Sequence, residues 1–314
     1  MAENINVGWG RLRAEALLAL KQSSGRVFVV MPSTHANWAE VTEALPGVDP
    51  QGTTRIFATL QEAVDAAEDS ANDTIVVADG YTETVTAAGG LDLDKIGLRI
   101  VGLGSGGRRP TISFSTATTA DVDFDAASIM LENFIFDLTG IDALAAPLDV
   151  NAANVTIKNC EFILADSGGQ AVRGIVTDAD SDNFKLEGCY AYGSSDAGCK
   201  SFLRIVGGDN VQVLNNIIDG TFEVTGAGIE STTTAPSLLI IKDNVVRNRV
   251  AAGRVAIGLV EGTNVIITGN SLGIRSGTSP IRIGGLTTII GGGLFLVNNN
   301  YYSNTTGTGP GILI

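Results

Sequence analysis

The sequence predicts an all-β solenoid of about eight coils, preceded by a short α/β segment and a capping helix. Three observations predict it. Short apolar-alternating segments begin at Leu98, Ile129, Val155, Phe184, Val211, Leu239, Val265 and Leu294, in steps of 31, 26, 29, 27, 28, 26 and 29 residues. A period in this range marks a coil that cannot bury its apolar face alone and stacks on its neighbours. Further apolar strands lie between these segments, at 147–150, 201–206, 254–260 and 280–283, so each coil holds two to three strands joined by Gly- and Asn-rich bends. Lastly, position six of the repeat carries Asn216, Asn244, Asn270 and Asn299, and position five carries Asn133, Asn159, Asn215 and Asn298. Asparagine tolerates left-handed backbone, and stacked amides hydrogen-bond from coil to coil, so these residues read as a structural ladder.

In chain order, residues 11–22 combine strong helix formers with apolar positions at helical spacing, and Ser23-Ser-Gly25 supplies a stop. Residues 25–31 read as a strand closed by Pro32, followed by a polar stretch with Pro46, Pro50 and Gly52. Residues 59–68 form a second helix with Leu60, Val64 and Ala67 on one stripe, leading through Asn72-Asp73 into the apolar strand 74–78. The glycine-rich run 102–107 reads as a coil corner, because Arg108-Arg-Pro110 follows it and no helix does. The chain thus divides into an N-terminal attachment segment (1–52), the capping helix and first coil (53–97), the repeat proper (98–303) and a C-terminal tail (304–314).

The run Arg55-Ile-Phe-Ala-Thr-Leu-Gln-Glu-Ala-Val-Asp-Ala-Ala67, followed by Asp73-Thr-Ile-Val-Val-Ala-Asp-Gly-Tyr-Thr-Glu83, resembles the opening of pectate-lyase-like right-handed parallel β-helices. In that superfamily the helix caps the first coil and a Gly-Tyr-Thr-Glu type turn leads into it. The resemblance covers about residues 53–303 and implies a right-handed parallel β-helix; it implies no chemistry.

Composition narrows the function. A formal charge of −14 and a pI near 4.4 argue against a phosphate-binding surface, so nucleic acid is not expected as a partner. No apolar run has the length of a membrane span. Charged residues are only 17% of the chain and mean hydropathy is +0.24, which leads us to expect a surface partly covered by further copies of the chain. Residues 1–9 lack the pattern of a secretory signal, and three cysteines make no disulfide framework, so assembly in a reducing cytoplasm is expected. Cys160 and Cys189 fall in one column and read as stacked free thiols.

Many β-helices cleave polysaccharides, and that chemistry finds little purchase here. The one histidine, His35, lies outside the repeat, which removes Ser/His/Asp and Cys/His catalysis from any groove, and no glycine motif for a nucleotide leads from a strand into a helix. No catalytic residue and no cofactor is assigned. Asp121, Asp123 and Asp125 alternate with Val122 and Phe124, and Asp178, Asp180 and Asp182 repeat the pattern; both runs are weak candidates for a hard cation and also look like solvated faces. Arg173, Arg204, Arg254 and Arg282 sit in second-strand segments and read as interfacial ion-pair partners, with an acidic sugar as the alternative. Trp9 and Trp38 precede the helix, leaving a handful of tyrosines as sugar platforms.

The layout of attachment segment, Gly52-Thr-Thr-Arg-Ile-Phe-Ala-Thr-Leu-Gln-Glu-Ala63 and short β-helix resembles virion proteins of tailed bacteriophages. The resemblance implies a non-enzymatic head decoration or cement protein, found in the virion and partnered by the major capsid protein or other virion proteins and by itself. A homotrimer is expected, its last coil covered by a neighbouring copy because residues 307–314 end apolar. The alternative is a tailspike-like β-helix that binds or degrades polysaccharide as a lyase or glycosidase.

Overall fold

The computed structural model describes residues 25–44, 54–165, 170–193, 199–232, 236–250, 255–260, 263–275, 281–283 and 295–303. The helix read at 11–22, Arg254 and the tail 304–314 lie outside them. Three parallel sheets run the length of a right-handed β-helix. Sheet I has 11 strands in the order 56–57, 27–30, 74–77, 99–102, 130–132, 156–158, 185–187, 211–214, 237–242, 263–268 and 295–297. Sheet II has nine strands, from Thr82–Val85 to Asn300–Ser303, and sheet III eight, from Leu91–Asp92 to Ile281–Ile283. Each coil visits sheets I, II and III in turn, and every strand pairs in parallel with the one a coil away.

The repeat's alternation sets which side chains fill the interior. In sheet I the register stacks Ile75, Ile100, Leu131, Ile157, Leu186, Val213, Ile241 and Ile267 in one buried column. Sheet II contributes Ile112, Phe136, Phe162, Ala191, Ile218, Val246 and Leu272. Sheet III contributes Leu91, Val122, Leu148, Ile175, Leu203, Ile229, Ile257 and Ile281. β-branched and aromatic side chains suit such columns because each packs on a like neighbour about 4.8 Å away. Phe162 shows the result: its ring stacks on Phe136 at 5.1 Å and meets the edge of Phe202 at 5.0 Å.

Two helices flank the first coils, α1 (Trp38–Ala44) and α2 (Leu60–Ala66). The polar stretch after Pro32 reads without a helix, yet α1 forms there because Val41 packs on Met31 and Ala78, with Trp38 against them; tertiary contact decides where local propensity is weak. α2 caps the core as its sequence suggests. Thr59 is its N-cap, with Glu62 completing a capping box, and Leu60, Ala63 and Val64 are buried. The Leu60 N–H donates to the Tyr81 hydroxyl at 3.2 Å, and that hydroxyl donates to Glu83 Oε2 at 2.6 Å, fixing the helix to the first turn of the solenoid.

The segment before residue 53 lacks the repeat but adds a rung: Val27–Val30 pairs in register with Thr74–Val77 on one side and Ile56–Phe57 on the other. Asp73, buried at this junction, accepts from the Arg26 N–H at 2.6 Å and from Arg26 Nη2 at 2.9 Å. The corner at 102–107 carries a one-turn 3₁₀ helix, Gly106–Arg108, which the sequence reading leaves out.

Candidate functional site

The corner between sheets I and II holds the asparagine ladder. Asn216, Asn244 and Asn270 are buried, an uncommon place for amides, and each is satisfied by the next coil. Nδ2 of Asn216 donates to Oδ1 of Asn244 at 3.0 Å, Asn244 to Asn270 at 3.0 Å and Asn270 to Asn299 at 2.9 Å. The same oxygens accept backbone N–H groups from Asn216, Asn244 and Asn270 at 2.8, 2.9 and 3.0 Å. The residue just before the ladder makes the bend: Asn133, Asn159, Gly188, Asn215, Asp243, Gly269 and Asn298 all have positive φ, between 52° and 70°. Every polar atom of the ladder faces protein, which leaves no ligand valence.

A second, outer ladder goes unread in the sequence. Asn183 Nδ2 donates to Asn154 Oδ1 at 3.1 Å and Asn210 Nδ2 to Asn183 Oδ1 at 2.9 Å, all three with left-handed φ. Asparagine in the position immediately before the repeat segment, at 154, 183, 210 and 264, is the signal that identifies it.

Sheet III's outer face carries the acidic candidates. Asp121 and Asp123 point outward while Val122 and Phe124 are fully buried, and Asp125 ends the strand exposed. Register then stacks Asp92, Asp123 and Asp149 on three successive rungs. Burial pushes Asp123 up to about 7, helped by the charges of Asp121, Asp125, Asp149 and Asp92. Burial likewise lifts Asp149 to about 6, with Asp121, Asp178 and Asp125 adding to it, and raises Asp92 and Asp121. Asp121 accepts the Gly89 N–H at 2.5 Å and Asp125 accepts from Asn151 at 3.1 Å.

Asp178, Asp180 and Asp182 serve a turn instead. Asp178 accepts the Asp180 N–H at 2.7 Å, Asp182 accepts the Asp209 N–H at 2.7 Å, and Ser181 between them donates to the Val150 carbonyl at 2.5 Å. Among the described residues no three His, Cys, Asp or Glu side chains converge as a metal-binding set.

Further along sheet III, Arg173 Nε contacts Glu230 at 3.3 Å and Ser201 Oγ donates to the same carboxylate at 2.9 Å. Arg204 lies between Val176 and Glu230 in register, and burial together with the Arg173 charge disfavours its cationic form. Arg282 occupies the next strand but one from Glu230. His35 is structural in its contacts: Nε2 meets the Asp79 carbonyl at 2.8 Å and Nδ1 accepts the Asn37 N–H at 3.2 Å. Cys160 and Cys189 are buried and free on successive rungs, and burial raises the Cys189 thiol.

Sheet II's outer face places two tyrosines together that composition alone makes look scattered. Tyr190 and Tyr192 stand side by side with ring centroids at 5.1 Å, since the buried Ala191 between them fixes both outward. Tyr190 and its register neighbour Ile217 are each 42% exposed. Arg109 bridges two coils to Glu161, and Arg247 and Arg249 hold Asp219 at 2.7 and 3.0 Å.

No protein-family model matches the chain, and no curated protein matches it. Solved structures similar to the chain include two that can be described. One is the A-module of the Azotobacter vinelandii mannuronan C-5 epimerase AlgE4, at 16% identity over 81% of this chain and 94% of that one, with a TM-score of 0.31. The other is ORF18 of Geobacillus virus E2, at 13% identity over 79% of this chain and 58% of that one, with a TM-score of 0.31. The chain's own strand order and register make it a parallel β-helix.

Proposed function

We propose that this chain is a non-enzymatic structural protein of a tailed bacteriophage particle, a head decoration or cement protein that stabilises or projects from the capsid. The observation that carries the reading is the internal asparagine ladder. Its amides, the inward columns and the left-handed bends all serve rigidity, and among the described residues no set of three or more His, Cys, Asp or Glu side chains converges on a metal position. The resemblance of residues 52–63 to phage virion proteins agrees with it. In this reading the partners are the major capsid protein or other virion proteins and further copies of the chain, and the protein resides in the virion.

One observation favours the alternative, a polysaccharide-binding or polysaccharide-cleaving β-helix. Asp123, held at about 7, lies one rung from Asp149 and Asp92, a spacing of about 5 Å that suits paired carboxylates in glycoside chemistry. Both readings are tested together. Gradient-purified particles of the encoding phage are analysed by mass spectrometry, and the isolated chain is incubated with acidic and neutral polysaccharides while unsaturated products and reducing ends are followed. The virion reading expects a constant ratio of this chain to major capsid protein across the gradient, with no products above background. Absence from particles, or depolymerisation, overturns it.

A further inference from the structure

The asparagine ladder stops at Asn216, but its column goes on. Position six of the two preceding coils holds Cys189 and Cys160, both buried and neither in a disulfide. Cys189 takes the place of an asparagine bond for bond. Its N–H donates to Asn216 Oδ1 at 2.8 Å, as the N–H of Asn216 does to Asn244. Its Sγ turns toward the position-three carbonyl of the coil before, that of Ile157 at 3.8 Å, just as Nδ2 of Asn216 and of Asn244 turn toward Leu186 and Val213. Cys160 Sγ lies 3.3 Å from the Lys158 carbonyl, the next one along the same strand. The two sulfurs therefore share one corner, and the Tyr190 N–H, donating to the Cys160 carbonyl at 2.9 Å, keeps their backbones one rung apart.

In the ladder this position brings side-chain atoms of successive coils into contact, at 3.0, 3.0 and 2.9 Å in the three amide pairs. A rung of about 4.8 Å lies within the Cα separation of about 4.4–6.8 Å that a disulfide spans. We propose that Cys160 and Cys189 are a modification site: in the folded chain a small disulfide oxidant joins them into a covalent rung that extends the ladder toward the N-terminus. One cysteine thiolate attacks oxidised glutathione and releases one glutathione; the second then attacks the mixed disulfide and releases the other. Two cysteine protons end on two glutathione thiols, so the cysteine pair is oxidised and the glutathione reduced.

Burial, together with the Cys160 thiol beside it, pushes the Cys189 thiol up and keeps it protonated. Reaction therefore waits on opening of this corner and is slow, and a chain made in a reducing compartment keeps its thiols until it leaves. Fold and chain statistics favour different products. Cys199 is 10 residues from Cys189 and Cys160 is 29, so loop closure in an unfolded chain favours the 189–199 pair. In the structure Cys199 opens a strand of sheet III, with its Sγ against the Ser201 carbonyl at 3.1 Å. The inference is independent of the virion reading, since it concerns the chain by itself.

The test oxidises the full chain with oxidised glutathione at about pH 8, in urea below the unfolding transition and again above it. Circular dichroism confirms the folded and unfolded samples, remaining thiols are alkylated, and cross-linked peptides are fragmented by mass spectrometry. The folded chain is expected to lose two of its three thiols and to yield the 160–189 link with Cys199 alkylated, while the unfolded chain shifts toward 189–199. Cys199→Ser is expected to form the link as wild type does, and Cys160→Ser to keep both of its thiols. Oxidised wild type is expected to melt above the reduced chain, a rise that dithiothreitol reverses and that Cys160→Ser lacks. A folded wild type that keeps three thiols, a glutathione adduct that does not resolve, or a folded chain that links 189 to 199 as its main product overturns the proposal.

Discussion

Asn244 Oδ1 accepts two hydrogen bonds from Asn216, one from the side-chain amide at 3.0 Å and one from the backbone N–H at 2.8 Å. Neither donor reaches water, because both asparagines are buried. Replacing Asn244 with Ala therefore orphans donors on Asn216 and acceptors on Val213 and Asn270 together. We expect a loss of about 2–4 kcal/mol in chemical denaturation. Asn210→Ala, in the exposed outer ladder, is expected to cost less than about 1 kcal/mol. Equal costs at the two sites would contradict the role given to the buried ladder.

The left-handed bends make a second prediction. Gly188 has φ of 66°, and a Cβ there would come within 2.6 Å of Asn159 Oδ1. Gly188→Ala meets both the backbone penalty of about 1–2 kcal/mol and a collision with the coil below. Asn215→Gly keeps the bend at φ of 57° and is expected to be nearly neutral, while Asn215→Ala carries the backbone penalty alone. Thermal melts should place Asn215→Gly highest, Asn215→Ala between and Gly188→Ala lowest.

Phe162 is fully buried between Phe136 and Phe202. Phe162→Ala opens a cavity at mid-solenoid, for which about 3–5 kcal/mol is expected. Because each coil touches only its neighbours, the loss should break cooperativity around residues 135–205 before the ends respond. Hydrogen exchange resolved by peptide would show this as protection lost first from the coils holding Phe136, Phe162 and Phe202; uniform loss along the chain would count against one-dimensional stacking.

The aspartate ladder gives the protein an inverted acid response. Asp123 at about 7 and Asp149 at about 6 both lie above the ordinary 3.8, so between about pH 4 and pH 7 the folded chain holds more protons than the unfolded one. Stability from these groups is complete below about pH 4 and is lost as pH rises through 6 and 7. Urea midpoints should fall from about pH 5 to pH 8, and Asp123→Asn should flatten that slope and raise stability at pH 8. Since Asp123 is partly exposed and screened by solvent, the gain is about 1 kcal/mol or less. A midpoint that rises over this range in wild type would contradict the ladder.

Much of this architecture is legible in the sequence, and the reason is the period. Alternation from Leu98 onward fixes which residues face the core, and the position-six asparagines mark the column that the ladder occupies. The helix at 60–66 is legible because Thr59 and Glu62 form a capping box. What escapes the sequence depends on partners one coil away. Asp92 and Asp149 join Asp123 only through register, and neither belongs to an acidic run that draws attention. Tyr190 and Tyr192 become a pair only once Ala191 is known to point inward. Helix α1 forms around Val41 and Trp38 through contacts to Met31 and Ala78, which no local propensity encodes.

The central claim is that this rigid solenoid is a building part of a phage head. Its most direct test is electron microscopy of intact particles carrying a gold-labelled antibody against the chain. The account predicts label distributed over the head at regular sites. Label confined to the tail tip, or particles without label, would contradict it.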